Sequence, residues 1–271
     1  MRSGSIGTKP LDVKKVDAMK NCFQNILRAA AAIALLACAT APLFAMPSLG
    51  SAVSYGVLAK NSVSSVNATV VVGHVGSAAA SAVSGFPPGL ITRGTVHSGD
   101  AMTIRALNDV TTQHDGQAGE PCDVNLSNQD LGDRTLGPGV YCSFTPAQLH
   151  GTLTLDAGND PNAVFLFQLS STLDTGVGSI IELANQAAQC NVWWVVIDDV
   201  RLGSQSIFAG TVISFSDITA GAGTAVNGRL ISKLGSVNLD TTAVESTDCG
   251  PIEPSAVTPS TWGRVKTLYS Y

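Results

Sequence analysis

Ser206-Ile-Phe-Ala-Gly-Thr-Val-Ile-Ser214 and Thr224-Ala-Val-Asn-Gly-Arg-Leu-Ile-Ser232 have nearly the same form and stand 18 residues apart. Gly210 matches Gly228, Phe208 matches Val226, and the Val-Ile-Ser of one matches the Leu-Ile-Ser of the other. A third copy of the turn lies upstream at Thr69-Val-Val-Val-Gly73. A period this short is too small for a helix pair. It suits one coil of a β-solenoid, about three strands of five or six residues each. Coils stack at about 4.8 Å, so equivalent positions line up in ladders. That geometry offers flat, repetitive faces rather than a single catalytic cleft.

Composition agrees. The 271 residues are 45% hydrophobic but only 13% charged and 6% aromatic. Patterned apolar content of this size excludes disorder, and abundant small residues suit tight turns and a narrow interior. A net charge of −5, with no basic patch after residue 30, excludes nucleic acid as a partner. No Cys-x-x-Cys or Cys-x-x-His spacing exists, so no metal site is expected, and no cofactor either.

Residues 1–45 read as a signal peptide. Lys14, Lys15, Lys20 and Arg28 precede the apolar run Ala29 to Ala45, with a small residue at the expected cut near Ala45. A membrane-spanning helix fits less well, because the run is short and Pro42 interrupts it. Leu35-Leu-Ala-Cys38 also resembles a lipoprotein cleavage box, which would leave Cys38 lipidated. Export favours disulfides among the remaining four cysteines, which allow three pairings. The expected pairs are Cys122–Cys142, closing a local loop, and Cys190–Cys249, pinning the last coil. The domain then spans 46–249. Residues 250–271 form a Pro/Ser linker and an aromatic, basic tail, Thr261 to Tyr271, suited to cell-surface attachment or simply a disordered end.

Short strands are expected at Tyr55 to Leu58, Asn61 to Val66 and Thr69 to Val72, ending at Phe86-Pro-Pro-Gly89. One helix follows, over about 99–115. Ser98-Gly-Asp100 caps it, and Ala101, Ile104, Leu107, Val110 and Thr111 recur at helical spacing. Val164 to Leu169 and Val192 to Ile197 are apolar on both faces. With Val212-Ile and Leu230-Ile they make the wall that the helix covers.

Two faces stay exposed. With Phe208 and Val226 inward, Ile207, Ala209, Ala225 and Asn227 point outward, joined by Val70 and Val72 and bordered by Thr69, Ser206 and Thr224. This face is small and uncharged, and it can order water into a lattice. Plain β-propensity would give the same residues. The other face carries Asp174, Asp199, Asp217 and Asp240, with Leu173, Val200, Leu202, Ile218, Val237 and Leu239 inward. Ladders of aspartate suit calcium or paired-acid chemistry, or simply a solvated face with edge-protecting charge. His74, His97, His114 and His150 show no catalytic or metal spacing.

The order of these pieces resembles the microbial ice-binding protein family. The matching stretches include Tyr55-Gly-Val-Leu-Ala59, Thr69 to Gly76, Val83-Ser-Gly-Phe-Pro-Pro-Gly89, Val96-His-Ser-Gly-Asp-Ala101, Leu126 to Gly132, Thr135-Leu-Gly-Pro-Gly-Val-Tyr141, Gly151 to Asp156, Asn159 to Gln168, Ala188-Gln-Cys-Asn-Val-Trp-Trp194 and Val226 to Ile231. They run in order from about 53 to 245. The resemblance implies a mainly β fold: a right-handed parallel β-solenoid of triangular section, made discontinuous by insertion, with one long helix along one face. Some members carry Thr-Ala/Gly-x-Thr/Asn on ice-facing strands. Thr224-Ala-Val-Asn227 fits that pattern, Ser206-Ile-Phe-Ala209 and Thr69-Val-Val-Val72 fit it in part, and Glu182 falls on or near the face. The implied protein is secreted or surface-displayed, monomeric, without enzymatic activity, and has ice as its partner. The alternatives are an adhesion or carbohydrate-binding solenoid, and a polysaccharide-active enzyme using the aspartates.

Overall fold

The computed structural model describes residues 48–117 and 120–246. Its strands form a 15-stranded and a 7-stranded sheet, paired in parallel throughout. The larger sheet bends at the repeat's glycines. Ile207–Ser214 and Ala225–Ser232 are each one continuous strand that turns the corner at Gly210 and Gly228. There φ is +112° and +151°, and at the upstream copy, Gly73, it is +109°. A Cβ on Gly228 would collide with the Gly210 carbonyl of the coil beneath. Positive φ and close stacking together demand glycine here, which is why the repeat conserves its turn internally while other positions vary.

The bend and the second sheet give three faces. One carries Val124–Asn125, Gly139–Ser143, Phe165–Leu169, Val192–Val196, the later halves of the two long strands, Tyr55–Ala59, His74–Ser77 and Val96–Ser98. A second, the bare face, carries Arg134–Leu136, Thr152–Asp156, Ile180–Ala184, the earlier halves of the long strands, Ala243–Glu245, Val70–Val72 and Leu90–Thr92. The third, the polar face, is the smaller sheet, from Ala147–Leu149 to Val83–Ser84.

The stack is discontinuous in sequence. Tyr55–Ala59 pairs with Ala225–Ser232 on one side and His74–Ser77 on the other, so the N-terminal coils sit on the C-terminal ones. The one α-helix among the described residues, α1 (Ala101–Gln117), leaves that end after Val96–Ser98, and the chain resumes pairing at Val124–Asn125, the far end of the same face. Seventeen helical residues span about 26 Å, or about five coil spacings. The helix is thus the return path as well as a cover.

The interior is a column of ladders. Tyr141, Phe167 and Trp194 stack with centroids 5.2 and 3.8 Å apart, and Phe208 continues the column. The Trp194 indole N–H donates to the Ala209 carbonyl at 3.0 Å, so the aromatic column is buried without an orphaned donor. A second apolar layer joins the helix to its wall: Ala106, Leu107 and Val110 pack with Leu166, Trp193, Val195, Ile213 and Ile231. The wall is the one expected from sequence.

Two expectations need correcting. The strands do not end at Phe86 to Gly89, because Leu90–Thr92 and Val96–Ser98 follow and pair in register. The buried stripe of α1 is Thr103, Ala106, Leu107 and Val110, whereas Ala101, Ile104 and Thr111 face outward, Ile104 with 47% exposure. The helix turns to that side because Asp100 caps it. The Asp100 carboxylate accepts both the N–H and the hydroxyl of Thr103 at 2.8 Å, and Thr103 also meets the Tyr55 hydroxyl. A threonine satisfied in this way buries as readily as an apolar residue. The Cys122–Cys142 bond is present. It closes a local loop worth about 3 kcal/mol. Cys249, and with it the expected Cys190–Cys249 pair, the expected signal segment 1–45 and the expected tail 250–271 lie outside the described residues.

Candidate functional site

Two outward rows cross the bare face. Register places Thr152, Ile180, Ile207, Ala225, Ala243, Val70 and Leu90 side by side in the first. The inward positions beside them, Phe208, Val226, Val244 and Val71, are sealed in the core. Rows lie about 6.6 Å apart along a strand and coils about 4.8 Å apart, which makes a regular grid. The first row has no charge and no hydrogen-bonding side chain from Ile180 to Leu90. Ile207 is 38% exposed and Leu90 56%. Ala225 is only 8% exposed because Ile207 and Ala243 flank its short side chain, and it belongs to neither apolar core cluster.

The second row is less uniform. Thr135, Thr154 and Glu182 align at one end, and Asn227, Glu245, Val72 and Thr92 at the other. Ala209 was expected to join it. Instead Ala209 is 1% exposed and part of the core cluster. The strand Ile180–Ala184 meets the long strand only at Ile207 and then diverges from it, and the 3-10 turn Gln189–Asn191 lies against the long strand there. The row is therefore broken between Glu182 and Asn227.

Thr69, Ser206 and Thr224 also move. Expected at the border, they are buried with Ser179 and Thr242 in an internal corner ladder. Their carbonyls accept the N–H of the next coil, as in Ile207 to Ser179, Ala225 to Ser206 and Ala243 to Thr224. The Thr224 hydroxyl donates to the Gly203 and Gly221 carbonyls. The Thr224 and Thr242 hydroxyls close the corner from inside, whereas the Ser206 hydroxyl is buried there without a hydrogen-bond partner among the described residues. Of the nine expected residues, Val70, Ile207 and Ala225 share the first row, and Val72 and Asn227 the second. Ala243 and Glu245 were missed, although Thr242-Ala-Val-Glu245 repeats Thr224-Ala-Val-Asn227 at the same 18-residue spacing. Ser246 in place of the corner glycine hid that copy.

The polar face differs throughout. Its outward ladder is Gln148, Asp174, Arg201, Thr219, Asn238, Ser64 and Ser84. All six residues expected inward there are buried. Arg201 bridges Asp174 at 3.3 Å and Asp199 at 2.7 Å. The remaining aspartates staple turns. Asp217 accepts the Ser236 N–H at 2.7 Å, and Asp199 accepts the Ser216 hydroxyl, which holds its carboxyl below the usual range. Acids committed to arginine and backbone do not converge on a substrate. Among the described residues no group of three His, Cys, Asp or Glu is arranged to hold a metal ion.

One cluster was not anticipated. His97 Nδ1 meets Asp100 Oδ2 at 2.6 Å, and His97 Nε2 lies 3.2 Å from His74 Nδ1, with the Thr95 hydroxyl beside both. Tyr55 packs against the two rings. Neighbouring coils bring the two histidines together, 23 residues apart in sequence. The cluster braces the start of α1 away from the bare face.

A sequence profile of the family described as ice-binding-like matches residues 57–245. An ice-binding protein of Nostoc sp. (strain HG1) is 34% identical over 212 residues, 78% of each chain. The solved structure of an ice-binding protein from the Antarctic ascomycete Antarctomyces psychrotrophicus superposes with a TM-score of 0.70 at 36% identity, over 74% of this chain and 98% of that one. Another, from an Antarctic biological consortium, gives 0.70 at 34% identity, over 73% and 90%.

Proposed function

The chain belongs to the ice-binding-like family, and from that premise we propose that it adsorbs to ice crystals through the bare face and catalyses no reaction. The observation that carries this reading is the unbroken uncharged row from Ile180 to Leu90. Ice has no net charge to pair with. A surface gains on it by holding small groups rigidly in register, so that ordered water between them joins the lattice, and by keeping bulky or strongly hydrated groups away. Two of three faces fail this test: one is covered by α1, and the other carries an arginine, aspartates and amides whose hydration is irregular.

The basic and apolar leader of residues 1–45 supports export, and the tail beyond 250 is suited to surface attachment. A single row on a single chain suffices for adsorption, so the protein acts as a monomer. The test is the shape and growth of single ice crystals in the purified protein, beside Ala225→Tyr. The parent should facet crystals and slow their growth. The variant should leave them as smooth discs while its circular dichroism is unchanged, since residue 225 faces outward between Ile207 and Ala243. Unshaped crystals with the parent, or full shaping with the variant, would defeat the proposal.

A further inference from the structure

We infer that contact with ice is confined to the first row of the bare face, and that Glu182 and Glu245 are the residues that hold the second row off. This rests on the ice-adsorption reading and narrows it. Glu182 is exposed and Glu245 half-buried, and both stand in the second row, three coils apart. Neither side chain has an ion-pair or hydrogen-bond partner among the described residues. Elsewhere the protein commits its acids: Asp100, Asp130, Asp199 and Asp217 all accept bonds from turns, histidines or arginine. The two glutamates therefore stand as unpaired, hydrated charges directly beside the uncharged first row.

Bringing ice onto the second row would strip those shells with nothing to replace them, and an unpaired charge loses more by desolvation than small groups beside it gain. The first row escapes the penalty. It runs about 24 Å over five coil spacings without a charge. The buried Ala209 adds a further gap to the second row at its centre. The face is thus asymmetric, one row adsorbing and its neighbour limiting.

Charge and bulk separate cleanly by substitution. Glu182→Gln with Glu245→Gln keeps size and removes charge, so the double variant should recruit the second row. The protein concentration that halts ice recrystallisation should fall about tenfold, a gain of about 1.4 kcal/mol in adsorption. Glu182→Lys with Glu245→Lys, which keeps a charge at both positions, should give no gain. In the parent, Asn227→Lys should matter little, because its row is already excluded, while in the glutamine background it should erase the gain. If the parent adsorbs and the glutamine variant is no better, or Asn227→Lys abolishes parental activity, the inference is wrong though the ice reading stands. If the parent does not adsorb at all, it is the ice reading that has failed.

Discussion

The bare face and the polar face are built from the same coils, by the same parallel pairing, over the same length of stack, yet they present opposite chemistry. On the bare face the outward side chains are Ile207, Ala225, Ala243 and Val70, with no ion pair in the row. On the polar face the same ladder geometry carries Asp174, Arg201, Thr219 and Asn238, laced by Arg201 to two aspartates. Exposed pairs of this kind add about 0–1 kcal/mol each, so the polar face is not there for strength. The scaffold fixes where side chains stand, and the residues at outward positions decide what the surface can bind. Similarity of fold alone would not distinguish the two faces. The distribution of charge does.

The deepest cut into this comparison is at the hinge. Gly228 joins the bare half of its strand to the helix-covered half, at φ +151° and against the Gly210 carbonyl. Gly228→Ala should destabilise by about 2–4 kcal/mol and impair the bare and helix-covered faces together, as a lowered thermal midpoint and weakened crystal shaping. A variant as stable as the parent would mean that the two faces are not held in register by that corner.

A smaller change sharpens the contrast by touching the helix side alone. The Asp100 carboxyl is pulled down to about 2, chiefly by the Thr103 N–H and then by His97. A depressed acid lends stability that is complete above its ordinary value of 3.8 and is lost as pH falls toward about 2. Thermal midpoints measured from pH 5 downward should therefore drop in that window. Asp100→Asn, still a good cap, should flatten part of the drop without altering crystal shaping at neutral pH. The effect is small because the carboxylate is 40% exposed.

Much of this was legible in the chain. The 18-residue repeat carried the coil, the corner glycines and the inward Phe208 and Val226. The doubly apolar strands marked the wall under the helix. Alternation also assigned Ile207, Ala225 and Val70 to one face. It failed where local pairing ended. Ala209 has outward parity, but its neighbouring strand diverges after Ile180, which lets other chain close over it. Thr69, Ser206 and Thr224 sit at the corner, where a strand leaves one face for the next and parity no longer tells inside from outside. The stripe of α1 was misplaced by about one position because a buried threonine, satisfied by its cap, does not look apolar in sequence. The His74–His97 contact needs the coil register, which neither motif alone reveals.

The face assignment is tested most directly by ice partitioning of two lysine variants, one per face. Ala243 stands in the first row of the bare face, and Thr219 stands exposed in the ladder of the polar face. Thr219 is a better probe than Asp217, whose carboxylate staples the Ser236 turn. When a growing ice front is drawn slowly through each solution, Thr219→Lys should enter the ice with the parent protein, and Ala243→Lys should remain in the liquid, both with parental circular dichroism. Retention of Thr219→Lys in the liquid while Ala243→Lys enters the ice would contradict the account, and so would equal partitioning of the two.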